Sequence, residues 1–263
     1  MVITVKPTKF KLYTNTSKKT ASQVRKETGA DIVVNCWLYD MKTFKAVCDV
    51  KVDGKVLSND KYTYWGYGFN KNDKRMIMSN DMSKWDNYFA VVGMLMNGKK
   101  LDMYIDSGMG GSRPRSSIGF KANGEMVIYC TTSNISIPKV QETMIAQGCV
   151  DAMVLDGGGS VQIASDYGNI NSARRVHGFV CIWIEKDKNA KCPHSEPILN
   201  IKNGSRGNGA KWVQWHLNRH GANLTVDGIF GANSVKALKE FQNKHGLEVD
   251  GICGKQTREE LKK

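Results

Sequence analysis

Asp151-Ala152-Met153-Val154-Leu155-Asp156-Gly157-Gly158-Gly159-Ser160 is the stretch whose reading decides the fold. Ala152 to Leu155 form a short apolar run, the pattern of a buried strand. The run ends in a carboxylate followed by three glycines. Glycine lacks a Cβ, so it tolerates φ > 0 and lets a ligand approach the backbone. Successive N–H groups in such a turn converge on anions. Two readings follow. One is a tight turn after a core strand, with Asp156 capping its own loop. The other is a site for a polar, anionic ligand. A nucleotide fingerprint is excluded, because the run lacks both the Lys-Ser/Thr of a P-loop and the G-x-G-x-x-G spacing.

Immediately upstream, Pro138 to Gln147 fits a helix: Pro138 sits in the first turn, Val140 and Met144 share a face, and Gly148 stops it. A helix-to-strand unit therefore presents the glycine loop. Asn123-Gly124 marks a two-residue hairpin between the run Arg113 to Phe120 and a return strand over Met126 to Thr131. Nearer the N-terminus, Thr20 to Thr28 reads as a short helix closed by Gly29. Asp31 to Asp40 is β-rich, with a polar Asn35 in its middle. Val52-Asp53-Gly54-Lys55 signals a second hairpin. Residues 60–90, rich in Tyr, Trp and Asn without a clean period, read as loops and short strands around a cleft. Downstream, Gly178 to Ile184 is apolar enough for a central strand. The expected class is α+β: a mixed β-sheet domain with flanking helices over residues 1–185, followed by a small all-α domain.

Between the two, residues 186–207 form a linker of Lys, Asn, Pro, Ser and Gly without an apolar period. Residues 208–263 contain an internal repeat. Val226-Asp227-Gly228-Ile229-Phe230-Gly231 recurs as Val249-Asp250-Gly251-Ile252-Cys253-Gly254. Each copy has an Asp-Gly turn, then a Ser234 or Thr257 placed to cap a helix. With an earlier helix carrying Val213 and Leu217, the expected domain is three short helices around one small core.

Charge narrows the partners. The net charge of +13 divides into +7 over residues 1–185 and +6 over 186–263. A diffuse basic excess suits an anionic polymer. No helix-turn-helix, zinc-finger or aromatic RNP signature accompanies it, so nucleic acid is not the expected partner. MVITVKPTKF has lysines but no apolar h-region, and no run of 18 apolar residues occurs, so neither a secretory signal nor a membrane span is expected. The seven cysteines are odd in number and form no C-x-x-C pair; they read as mostly free, buried thiols. The five histidines are scattered, none paired at i,i+4 with a Glu between, so no metal site or other cofactor is expected.

The repeat, together with Val213-Gln214, Leu217, Phe241-Gln242 and Gly246-Leu247, makes the C-terminal residues resemble the three-helix peptidoglycan-binding domain of wall hydrolases. The resemblance implies that Asp227 and Asp250 are turn residues and that the partner is peptidoglycan. The N-terminal 185 residues resemble the phosphodiester glycosidases, whose best-known member is an N-acetylglucosamine-1-phosphodiester α-N-acetylglucosaminidase. The matching runs are Gly29-Ala30-Asp31 with Asn35 to Asp40, Arg115-Ser116-Ser117-Ile118-Gly119, Asp151 to Ser160, and Asn171 with Arg174-Arg175-Val176. Cys36-Trp37 stands where that family has two glycines, so a bulky Trp37 is expected to reshape the sugar pocket.

Together the halves imply a monomeric wall-targeted hydrolase in the manner of an endolysin or autolysin, released by a phage holin in the absence of a signal peptide. It would cut a sugar-1-phosphodiester, such as the linkage between teichoic acid and peptidoglycan, or a related glycosidic bond. The alternative is a non-catalytic wall-binding protein whose N-terminal domain grips an anionic polymer. Such hydrolysis passes through an oxocarbenium-like state. It needs positive charge on the phosphate, for which Arg115 and Arg174 are the candidates, because guanidinium matches phosphate bidentately. It also needs a carboxylate near C1. Asp156 is the candidate, as general base or as C1 stabiliser. Asp151, on the opposite side of the strand, is expected to be structural. Gly157, Gly158 and Gly159 would offer N–H groups and Ser160 a hydroxyl. Asn35 and Asn171 would bind sugar hydroxyls, or be satisfied turn residues. His177 is a minor candidate, an acid/base or a packed histidine.

Overall fold

The computed structural model describes residues 1–59, 65–103, 105, 109–185, 191–222 and 224–263. The chain divides into two units, Met1–Glu185 and Lys186–Lys263. The class is α+β, and the expected mixed sheet resolves into ladders that are antiparallel throughout the described strands.

Three larger sheets build the N-terminal unit, beside a two-stranded ribbon of Tyr39–Asp40 and Lys45–Ala46. The largest orders its strands Val2–Val5, Met126–Ile135, Arg113–Lys121, Cys149–Val154, Val92–Met96 and Lys99–Lys100. A second runs Ile163–Ser165, Ile32–Asn35, Gly178–Ile184 and Pro7–Thr14. The third runs Lys55–Ser58, Val50–Val52, Asn87–Ala90, Gly66–Phe69 and Ile77–Ser79. All three contribute to one apolar core, which includes Met153 and Leu155, Val34 and Val180, and Tyr67 and Phe89. Alternate residues Ala152 and Val154 pack on the other face of the largest sheet, under Val140 and Met144 of the Ile137–Ala146 helix. Burial on both faces is why the Cys149–Val154 strand is apolar without alternation.

Local chemistry sets the boundaries. Thr20 caps the Ala21–Thr28 helix in a reciprocal box with Gln23, and Gly29 closes it at φ 68°. Asp53 and Gly54 both take positive φ (47° and 80°), as a type I′ hairpin requires. The return strand after Asn123-Gly124 extends to Ile135, beyond Thr131.

One expectation is corrected here. Residues 65–90 form short strands and loops as expected, but they do not line the cleft; residues 60–64 lie outside the described set. A Cβ on Gly68 would fall 2.2 Å from the Trp85 ring, and one on Gly66 2.6 Å from that of Tyr88. Glycines filled over by aromatics erase the alternation a strand would otherwise show.

In the second unit, helices Asn208–Arg219, Ala232–Lys244 and Lys255–Leu261 surround Val213, Leu217, Phe230, Leu238, Phe241 and Leu261. The repeat is one hydrogen-bonding device used twice. Gln214 Nε2 donates to Asp227 at 2.9 Å and its Oε1 accepts from Gly228 N at 2.9 Å. Gln242 does the same with Asp250 at 2.8 Å and Gly251 N at 2.9 Å. Ser234 and Thr257 do not cap: Gly231 and Gly254 hold the N-cap positions, and both hydroxyl residues are buried. The linker also contracts. Residues 186–190 lie outside the described set, but Ile201 pairs with Cys253 and is buried in the helical core. A single apolar residue pairing some fifty positions away leaves no local period to read. All seven cysteines are free and six are buried.

Candidate active site

Asp156 is fixed where two sheets meet. Leu155 N donates to Ser116 O at 2.8 Å on the largest sheet. Asp156 N donates to Cys36 O at 2.9 Å, and its carbonyl accepts from Asn35 Nδ2 at 2.7 Å, both at the end of the Ile32–Asn35 strand. Asn35 is fully buried, and its Oδ1 also accepts from Ser116 Oγ (2.7 Å) and Gln162 N (3.1 Å). Both ends of its amide are engaged inside the protein. Asn35 is therefore the pin that holds Asp156, not a sugar ligand.

Beyond Asp156 the backbone turns at Gly158, φ +62°. Each glycine faces a different arginine. A Cβ on Gly157 would lie 3.4 Å from Arg115 Nη1, one on Gly158 3.9 Å from Arg113 Cδ, and one on Gly159 2.9 Å from Arg174 Cζ. Three arginine side chains thus stand around one loop; a Cβ is excluded by the Pro114 carbonyl at Gly157 (2.9 Å), by the positive φ at Gly158 and by the Arg174 guanidinium at Gly159. The loop lines an open cleft of about 530 Å³ together with Asp156, Ser160, Arg113, Arg174, Ser112, Tyr39 and Met41.

Burial pushes the Asp156 carboxyl up to about 6. The Ser160 hydroxyl, the Gly157 N–H and the charges of Arg174 and Arg115 oppose the shift without cancelling it. A carboxyl at this value changes protonation just below neutrality, the range a general base needs.

The two expected arginines separate in role. Arg174 is exposed on the cleft wall, while Arg115 is 2% exposed. Arg115 Nη2 donates to Met109 O and Gly111 O at 2.8 Å each. Arg115 thus lies beneath the loop as a fixed charge near Asp156, and Arg113 stands on the wall in its place. A register shift between Arg113 and Arg115 in the strand ladder turns the two apart. His177 is buried behind the wall; its Nδ1 accepts from Trp37 Nε1 at 2.8 Å, and burial lowers its pKa. Asn171 is exposed and does not line the cleft. Trp37 does not line the pocket: it is 1% exposed and fills the space over Gly178, whose Cβ would lie 2.2 Å from its ring. Asp151 is structural, pairing with Arg75 at 2.6 Å and accepting from Asn97 N at 3.1 Å. Tyr39, Met41, Ser112 and Arg113 escaped the sequence reading. The Arg113-Pro-Arg115 alternation was the signal available for Arg113.

The family model of the phosphodiester glycosidases matches residues 28–183, more than half of the chain. The chain belongs to the phosphodiester glycosidase family. A putative peptidoglycan-binding domain model matches residues 206–261. Among solved structures, the zebrafish N-acetylglucosamine-1-phosphodiester alpha-N-acetylglucosaminidase catalytic domain is similar over 67% of this chain and 73% of that one, with 15% identity and a TM-score of 0.55. A hypothetical protein from Synechocystis is similar over 70% of this chain and 59% of that one, with 10% identity and a TM-score of 0.58. At these identities the likeness is one of fold. The spore cortex-lytic enzyme of Bacillus cereus is 39% identical over 64 residues, 24% of this chain and 25% of that enzyme. The N-acetylmuramoyl-L-alanine amidase CwlL of Bacillus licheniformis is 30% identical over 83 residues, 28% of this chain and 23% of that enzyme. The chain thus matches about a quarter of the length of these curated relatives.

Proposed function

We propose that the phosphodiester glycosidase domain hydrolyses a sugar-1-phosphodiester of a bacterial wall polymer, while the helical domain holds it on peptidoglycan. The observation that carries this reading is Asp156: a pinned carboxyl with a pKa of about 6, opening a loop ringed by arginines.

In the proposed reaction, water attacks the anomeric carbon and Asp156 accepts its proton. The C1–O bond breaks, and the electron pair leaves with the phosphate. The products are a free sugar and a phosphomonoester. The diester carries one negative charge and the departing monoester gains a second, so negative charge grows on the phosphate as the bond breaks. Cations on the cleft wall, Arg174 foremost, then bind the transition state more tightly than the ground state, which is the condition for acceleration. Because the leaving group is already an anion, one carboxyl suffices and no partner acid is required. Arg115, held by carbonyls beneath Gly157, keeps the loop in shape and biases Asp156 toward its ionised form. The hexosamine-1-phosphate that joins teichoic acid to peptidoglycan has this bond and the negative charge that a +13 chain favours.

The test is turnover of a synthetic N-acetylhexosamine-1-phosphodiester by the wild type, Asp156→Asn and Arg174→Ala. Asp156→Asn should lose on the order of 10²–10⁴ in rate with the fold intact. Wild-type protein that binds walls but turns over no such diester would assign the domain to grip rather than cleavage.

A further inference from the structure

Along the glycine loop the facing side chains change in order. Gly157 meets Arg115, Gly158 meets Arg113 and Gly159 meets Arg174, while the Ser160 hydroxyl contacts the phenol of Tyr39. The cleft thus sets an aromatic side chain close to cationic ones, with the Arg174 charge acting on the Tyr39 hydroxyl. Met41, 68% exposed, adds an apolar side chain to the lining.

Tyr39 is held rigidly. Its hydroxyl donates to Arg175 O at 2.7 Å, and its ring meets Phe44 edge-on at 5.4 Å. Phe44 in turn stands edge-on to His177 at 5.6 Å, and His177 is fixed by Trp37. Because the hydroxyl is tied back to the protein, the part of Tyr39 left for a ligand is its ring. An aromatic ring beside both a carboxyl and a guanidinium has the polarity of a sugar phosphate, which offers C–H groups on its ring and anionic oxygens next to it.

We propose that Tyr39 is the specificity-determining platform of the cleft, stacking on the apolar face of a pyranose whose phosphate lies against Arg174. The group transferred to water is then a ring sugar, not an acyclic polyol. The placement of the phosphate rests on the glycosidase reading above; the stacking does not.

Kinetics and binding separate the two. With a hexosamine-1-phosphodiester, Tyr39→Ala should raise KM about three- to tenfold, the range of one aromatic contact, with kcat changed by less than about twofold. Tyr39→Phe, which keeps the ring but loses the anchoring bond to Arg175 O, should fall between wild type and Tyr39→Leu in KM. Tyr39→Leu keeps bulk without a ring, and replaces the alanine variant if that one fails to fold. Methyl N-acetyl-α-glucosaminide, titrated by NMR, should bind the wild type and Tyr39→Phe more tightly than Tyr39→Leu. Equal losses in Tyr39→Phe and Tyr39→Leu, or equal turnover of a glycerol phosphodiester and the sugar diester, would overturn the platform. A wild type that binds the methyl glycoside through Tyr39 yet cleaves no diester would keep the platform and end the glycosidase reading.

Discussion

Replacing Asp156 with Asn should stabilise the N-terminal unit at the pH where it abolishes catalysis. Burial raises the Asp156 carboxyl from 3.8 to about 6. At 1.36 kcal/mol per unit, holding it ionised costs the folded state about 3 kcal/mol above pH 6. The sign follows from proton binding. Between the unfolded and folded values the native chain holds the proton more tightly. The neutral form's advantage is therefore complete below pH 3.8 and lost as pH rises through 6. Asn carries no charge at any pH, so Asp156→Asn escapes the penalty. Its amide must find an acceptor where the carboxylate had none to seek, an offset of about 1 kcal/mol. The net gain at pH 8 is about 2 kcal/mol, or roughly 4–8 °C for a unit of this size. At pH 4 the gain should fall below about 1 kcal/mol. Calorimetry of the full chain reads this directly, since the transition of residues 1–185 should move and that of the helical unit should not. A variant no more stable than wild type at pH 8, or equally stabilised at both pH values, would refute the claim that burial sets this carboxyl.

Further outcomes follow from the same contacts. kcat/KM should fall about tenfold per pH unit below an apparent value near 6, the limb of a base that must be ionised; a profile flat between pH 5 and 7 would exclude Asp156 as that base. Gly159→Ala puts a Cβ 2.9 Å from the Arg174 guanidinium, an exposed side chain free to swing, so activity should drop on the order of 10–10² with the thermal transition nearly unmoved. Gln242→Ala leaves the Gly251 N–H without its acceptor and takes one of two donors from Asp250, which keeps Ile252 N. It should cost the helical unit about 1–3 kcal/mol, read as a shift in that unit's transition alone.

What the sequence made legible and what it hid divide by range of interaction. The helix before Cys149, both Asp-Gly turns and the strand into Asp156 are local patterns, and each stands where its residues put it. The placement of Asp156 at a glycine loop was equally legible, because one apolar run and three glycines encode it. Asn35 was not, since its role depends on Ser116 and Gln162, 81 and 127 positions away. Arg115 was assigned to the phosphate because arginine suits phosphate, but the carbonyls of Met109 and Gly111 claim it first. Tyr39 lay inside the β-rich run Asp31 to Asp40 with nothing local to single it out. Its hydrogen bond to Arg175, 136 residues on, ties it to the cleft wall.

The account's central claim is that the sugar–oxygen bond is cut, with Asp156 as the base. Hydrolysis of a hexosamine-1-phosphodiester in ¹⁸O-water measures it. The label should enter the sugar at C1 and be absent from the phosphomonoester, and Asp156→Asn should slow its incorporation on the order of 10²–10⁴. Label found in the phosphate would mean attack at phosphorus, a phosphodiesterase in place of a glycosidase, and would contradict the account outright.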